Sequence, residues 1–106
     1  MPNESVAGQY QSPGFAPGLM TEGATLASAA TVTPTHRVHY ISGTAEITTI
    51  TLPYPGFMGD VVFIPAGAFT LNTGGNIAVA ATAVAKRAMR LTYSVKMGLW
   101  YPSYLS

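Results

Sequence analysis

His36 and His39 form an H-x-x-H pair, the side chains of this chain best suited to hold a metal ion. On a strand, residues three apart face opposite sides, so both rings reach one ion only across a bend. With no cysteine to add thiolate ligands, the pair reads as two polar residues on a half-exposed strand, and neither metal nor cofactor is expected. Glu46 and Asp60 are the only carboxylates after residue 24. A glycosidase needs two such groups held at a fixed separation across a cleft, and nothing in their spacing sets one. Neither the nucleophile elbow G-x-S-x-G nor the phosphate loop G-x-x-x-x-G-K-[ST] occurs, since Gly74-Gly75 is followed by Asn76 rather than by a phosphate-binding lysine. The chain is not expected to be an enzyme.

Two groups suit binding instead. Lys86, Arg87 and Arg90 cluster within five residues, where they either form a solvated patch or meet an acidic surface. Arg87 and Arg90 are the candidates for an acidic patch on a partner. Aromatic residues are the richest resource: Trp100, Tyr101 and Tyr104 lie near the C-terminus, Tyr54 and Phe57 in a Pro-Gly turn. Such rings stack on sugars or anchor protein interfaces, and Tyr54, Trp100 and Tyr104 are the candidates for an exposed aromatic contact. For Trp100 the competing reading is a plug at one end of a barrel. Tyr54, between two prolines, is expected on a rigid, exposed loop.

These residues must be positioned by strands. From Thr25 onward, short runs of Thr, Val, Ile and Ala are bounded by Pro and Gly. Strands are expected over Arg37 to Ile41 and Glu46 to Leu52, the second ended by Pro53-Tyr54-Pro55-Gly56. Val61, Val62, Phe63 and Ile64 form an apolar run expected of a strand buried on both faces. A short strand over Phe69 to Leu71 precedes Asn72-Thr73-Gly74-Gly75-Asn76, the strongest turn signal, where a tight hairpin with positive φ is expected. Met89, Leu91, Tyr93 and Val95 alternate with polar residues, the period of a strand with one face in the core. Lys96-Met97-Gly98 then turns into a last strand over Leu99 to Tyr101. Residues 77–88 are open between a short helix and strands, because Ala-rich spacing suits both. The expected fold is all-β: a small antiparallel β-sandwich or β-barrel of about seven short strands, forming a single domain over 25–106.

Residues 1–24 hold three prolines and four glycines among Ser, Gln and Asn, which interrupts any periodicity. They read as an extended arm, with Tyr10, Phe15 and Leu19 available to dock on a neighbour. Charged residues are only 8% of the 106, against about 25% in ordinary soluble domains, and the net charge is +1. A small domain without charge repulsion self-associates, so partners are expected to cover much of the surface. The balance argues against a nucleic-acid face. The Ile77 to Ala85 stretch is far shorter than the roughly 18 to 20 apolar residues of a membrane span, and no export signal is visible.

Ile41-Ser42-Gly43-Thr44, Leu52-Pro53-Tyr54-Pro55-Gly56-Phe57, Phe63-Ile64-Pro65, Gly75-Asn76-Ile77-Ala78, Leu91-Thr92-Tyr93 and Trp100-Tyr101-Pro102-Ser103 occur in that order. Together they resemble a small all-β module of tailed-bacteriophage virion proteins, including head decoration (cement) proteins. The resemblance covers roughly residues 40–104 and does not extend to the arm. It implies a β-rich subunit, a homotrimer, on the outer surface of the capsid, bridging and stabilising major capsid protein subunits. Ser94-Val95-Lys96-Met97-Gly98 departs from the tight Asp-Gly hairpin such modules lead one to expect. The competing expectation is a receptor-binding or fibre-tip module that recognises host surface glycans.

Overall fold

The computed structural model describes residues 22–104. These residues contain nine short strands and no helix: β1 (Leu26–Ala27), β2 (Thr31–Val32), β3 (Val38–Ser42), β4 (Thr49–Ile50), β5 (Gly59–Pro65), β6 (Thr70–Leu71), β7 (Ala81–Thr82), β8 (Met89–Ser94) and β9 (Leu99–Pro102). A five-stranded sheet has the order β1-β3-β5-β8-β9, and β2-β4 and β6-β7 form two small ladders. The all-β class agrees with the sequence reading, but the sheets are mixed and not closed into a barrel. β1 on β3, β3 on β5 and β2 on β4 are parallel, while β5-β8-β9 and β6-β7 are antiparallel.

β5, the longest strand, is the centre of the five-stranded sheet, and its β-branched and aromatic residues suit that position. Its residues do not sit between two buried layers, as the unbroken apolar run suggests. Val61, Phe63 and Pro65 face a core, whereas Asp60, Val62 and Ile64 point to the other, half-exposed face. β8 alternates as its sequence predicts, with Met89 and Leu91 buried and Arg90 and Thr92 exposed. Val95, however, leaves the pattern and sits exposed in the β8-β9 turn, where the Gly98 N–H donates to the Ser94 carbonyl at 2.7 Å.

The expected strand over 46–52 shortens to Thr49–Ile50, with Ile47 bridging separately to Leu71. It ends, as read, at the prolines. Tyr54 O accepts from the Phe57 N–H at 3.2 Å across Pro55 and Gly56, and Gly56 has φ 81°. Proline first and a positive-φ glycine second are the requirements of a type II turn.

The turn at residues 72–76 is a correction. None of its residues has positive φ, which occurs instead at Gly43, Gly56, Gly59, Lys86 and Gly98. Asn76 explains the difference. Its side-chain amide accepts from the Ile50 N–H and donates to the Ile50 carbonyl, both at 2.8 Å, so it acts as a strand partner for β4 rather than as a hairpin residue. In residues 77–88 no helix forms, because Ala81 pairs with Leu71 across β6-β7 and buries itself, with Ala83, in the common core. The core joins the inner residues of β3, β5, β8 and β9 to Val32, Ile47, Ile50, Phe69, Leu71 and Ile77 from the rest of the chain.

Candidate functional site

The bend at 36–37 brings the two histidine rings to 5.7 Å, edge to face, so the geometry required for a shared ion is partly met. Their nitrogens are committed elsewhere. His39 is fully buried on the inner side of β3, and its Nε2 accepts from the backbone N–H groups of Thr35 and His36, each at 3.0 Å. Nδ1 lies 2.6 Å from the Ala24 carbonyl, and since a carbonyl only accepts, the partners assign the hydrogen to Nδ1. Neither His39 nitrogen keeps a lone pair for a metal. His36 Nδ1 is 2.8 Å from the Thr35 hydroxyl, and among the described residues no group of three or more His, Cys, Asp or Glu side chains converges.

The pair instead fastens the start of the described chain to β3. Gly23 N–H donates to the Val38 carbonyl at 2.8 Å, and Glu22 bridges Val38 in parallel register. A Cβ at Gly23 would overlap the His39 ring and lie 2.6 Å from His36 Nδ1. Only glycine fits between the rings. Glu22, Gly23 and Ala24, assigned from sequence to the arm, are thus held by the sheet.

The predicted aromatic contact does not assemble on the surface. Trp100 is fully buried, stacked near Tyr93 at 5.1 Å and Phe57 at 5.8 Å, and its Nε1 donates to the Ile50 carbonyl at 2.9 Å. This overturns its placement as an exposed sugar-stacking ring, for a reason the competing plug reading contains: indole is largely apolar and its one donor finds a buried acceptor. Tyr54 is half-buried edge-on against Phe57 at 5.6 Å rather than free on its loop. Tyr104 is also half-buried, accepting from the Val84 N–H at 3.1 Å and donating to the Arg87 carbonyl at 2.9 Å.

The basic group divides. Arg87 lies with its guanidinium 4.1 Å from the centre of the Tyr104 ring, a cation–π contact worth about 0.5–1 kcal/mol where exposed. Arg90 points from the outer face of β8, with Nε 3.6 Å from an Asp60 oxygen; at 63% and 32% side-chain exposure the pair contributes at most about 1 kcal/mol. The two carboxylates considered for catalysis have separate partners, since Glu46 accepts from Asn72 Nδ2 at 2.7 Å. Tyr10, Phe15 and Leu19 lie outside the described residues.

What the structure does bring together is an outer face on which β3 and β5 present Val38, Tyr40, Val62 and Ile64, β8 presents Arg90 and Thr92, and β9 presents Tyr101. Register places Val38 opposite Val62, Tyr40 opposite Ile64 and Thr92 opposite Tyr101, all on the side of the sheet away from the core. Tyr40 is 46% exposed and Tyr101 41%, and Asp60 and Arg90 are the charged residues of this face among those on the described strands. The sequence reading counted Tyr101 among the aromatic resources without making it a contact candidate, and passed over Tyr40. Their signal was legible: in β3 both alternating phases are apolar or aromatic, Val38 and Tyr40 outward with Ile41 inward, unlike a strand facing water. At the Pro65 end of the face a groove of about 450 Å³ is lined by Tyr40, Ile64, Pro65, Ala66 and Lys86. No protein-family model matches the chain, and no curated protein or solved structure is significantly similar to it.

Proposed function

We propose that this chain is a head decoration (cement) protein of a tailed bacteriophage, a homotrimer that binds the outer surface of the capsid and stabilises it by bridging major capsid protein subunits. The observation that supports this most is the sparsely charged outer face of the five-stranded sheet, on which Tyr40 and Tyr101 are exposed and Val62 and Ile64 half-exposed. Such a face suits a subunit covered by partners, because exposed aromatic side chains with few charges around them are what protein interfaces enrich. The resemblance over residues 40–104 points the same way. Within this reading the short ladders form the second layer of an open β-sandwich, residues 1–24 are an arm whose Tyr10, Phe15 and Leu19 meet the capsid, and Arg87 and Arg90 meet an acidic capsid patch. The role is mechanical: many repeated weak contacts across capsomer junctions add up to a shell that resists internal pressure, and no catalytic step is involved.

The test is copy number per virion, by quantitative mass spectrometry of purified particles against the major capsid protein. Hundreds of copies are expected. A handful would move the protein to the tail or fibre and favour glycan recognition, and its absence from particles would overturn the virion reading.

A further inference from the structure

The groove at the Pro65 end of the outer face is bordered by a lysine in a backbone conformation that suits glycine. Val84-Ala85-Lys86-Arg87 is a turn, with the Arg87 N–H donating to the Val84 carbonyl at 3.0 Å, and its third residue, Lys86, has φ 68°. A turn with positive φ at that position favours glycine or asparagine, because other side chains crowd the backbone there. The chain meets the same requirement with Gly56 in the turn from Tyr54 to Phe57, and Lys86 is the non-glycine residue with positive φ among those described. The Lys86 N–H donates to the Pro65 carbonyl at 2.8 Å, which sets the turn against the end of β5, beside Ile64 and its register partner Tyr40. The backbone gains nothing from a lysine here. What the lysine adds is an ammonium group on the groove, and a strained position of this kind points to a use for its side chain.

Charge and shape narrow the occupant. Of the basic residues at 86–90, Arg87 lies over the Tyr104 ring and Arg90 beside Asp60, whereas Lys86 is exposed and has no ion-pair partner among the described residues. The rest of the lining, Tyr40, Ile64, Pro65 and Ala66, carries no charge, so the groove is an apolar trough of about 450 Å³ with a cation on its border. A dedicated small-molecule site buries roughly 70–90% of its ligand. Here Tyr40 is exposed and Ile64 half-exposed, and the trough opens along the outer face on which Val38 and Val62 follow. Such an open trough takes a side chain offered by a partner's surface rather than an enclosed ligand.

We propose that this groove receives an apolar side chain of a partner protein that stands next to a carboxylate, the apolar group packing on Tyr40 and Ile64 and the carboxylate pairing with the Lys86 ammonium. Tyrosine rings anchor protein interfaces, and an ion pair at the rim selects the acidic neighbour more than it adds affinity. The site is separate from the contacts assigned to Arg87 and Arg90 and does not rest on the capsid reading.

Two capped dipeptides, acetyl-Phe-Glu-amide and acetyl-Phe-Gln-amide, differ in a single carboxylate and serve as probes, titrated into the isotope-labelled full chain with amide shifts as the readout. The expected result is saturable movement at Tyr40, Ile64, Ala66 and Lys86 but not at Thr48 or Asn72. The Glu peptide is expected to bind about two- to fivefold more tightly than the Gln peptide at low salt, with the difference lost at high salt. Lys86→Gly is expected to erase that preference while the thermal midpoint stays unchanged or rises, because glycine relieves the positive φ. Absent or equal binding of the two peptides, or a preference that survives Lys86→Gly, would overturn the proposal. A lower midpoint in the variant would do the same, by making Lys86 a support of the fold. Tighter binding of sialyllactose at these amides would give the groove to an acidic glycan, and shifts that grow with protein concentration alone would give it to a second copy; either result overturns the assignment.

Discussion

On the inner side of the five-stranded sheet, His39 Nδ1 and Nε2 and Trp100 Nε1 all end on backbone partners, and the nearby Asn76 amide closes on Ile50. On the outer side, Tyr40 and Tyr101 turn rings to solvent around the loose Asp60–Arg90 ion pair. His39 and Trp100, two of the residues that suggested chemistry in the sequence, are on the first side, where they hold backbone together. The exposed rings lie on the second, at Tyr40 and Tyr101. In this chain, polar side chains with fixed backbone partners report architecture, and the proposed function draws instead on the exposed rings of the outer face.

Substitutions sharpen the contrast. Trp100→Ala removes the largest buried side chain and leaves a cavity between Tyr93 and Phe57, for an expected loss of about 3–5 kcal/mol in urea unfolding. A loss below about 1 kcal/mol would mean that the core does not close around the indole. His39→Ala strands the Thr35 and His36 N–H groups and the Ala24 carbonyl, with an expected loss of about 3 kcal/mol and faster amide exchange at Gly23. Unchanged exchange at Gly23 would show that the ring does not hold that segment. Asn76→Ala unpairs the Ile50 N–H at an expected cost of about 2 kcal/mol, with the thermal midpoint as readout; a neutral result would return residues 72–76 to an ordinary turn.

On the outer face the effects should be small. Arg90→Gln is expected to change stability by less than about 1 kcal/mol, and by still less in high salt. Tyr101→Ser should stay within about 0.5 kcal/mol while lowering self-association or partner binding measured by sedimentation. If Tyr101→Ser instead unfolds the chain, the two faces do not differ as described.

Much of the strand content was legible. β3, β5, β8 and β9 follow from runs of β-branched and aromatic residues, and the turn at Pro55-Gly56 from its own residue types. Pairing direction was not, because alternation along a strand carries no information about which neighbour it meets. The parallel β3-β5 pair thus departs from the antiparallel architecture expected, which assigned no strand order. Asn76 misled for a local reason: asparagine beside two glycines is turn vocabulary, while its bond to Ile50 spans 26 positions and leaves no local trace. For Trp100 the residue type is equally suited to a surface and a core, and only the Ile50 carbonyl, 50 positions away, decides.

The outward backbone of β9 has a consequence for crowding. Trp100 donates its N–H to the Asn76 carbonyl and accepts from the Ala78 N–H, while Pro102 has no N–H to offer. At the opposite border β1 is two residues long. The sheet therefore ends in borders with little unpaired ladder for a foreign strand to copy. Copies brought together at high concentration are expected to meet through side chains rather than by extending one another's sheet.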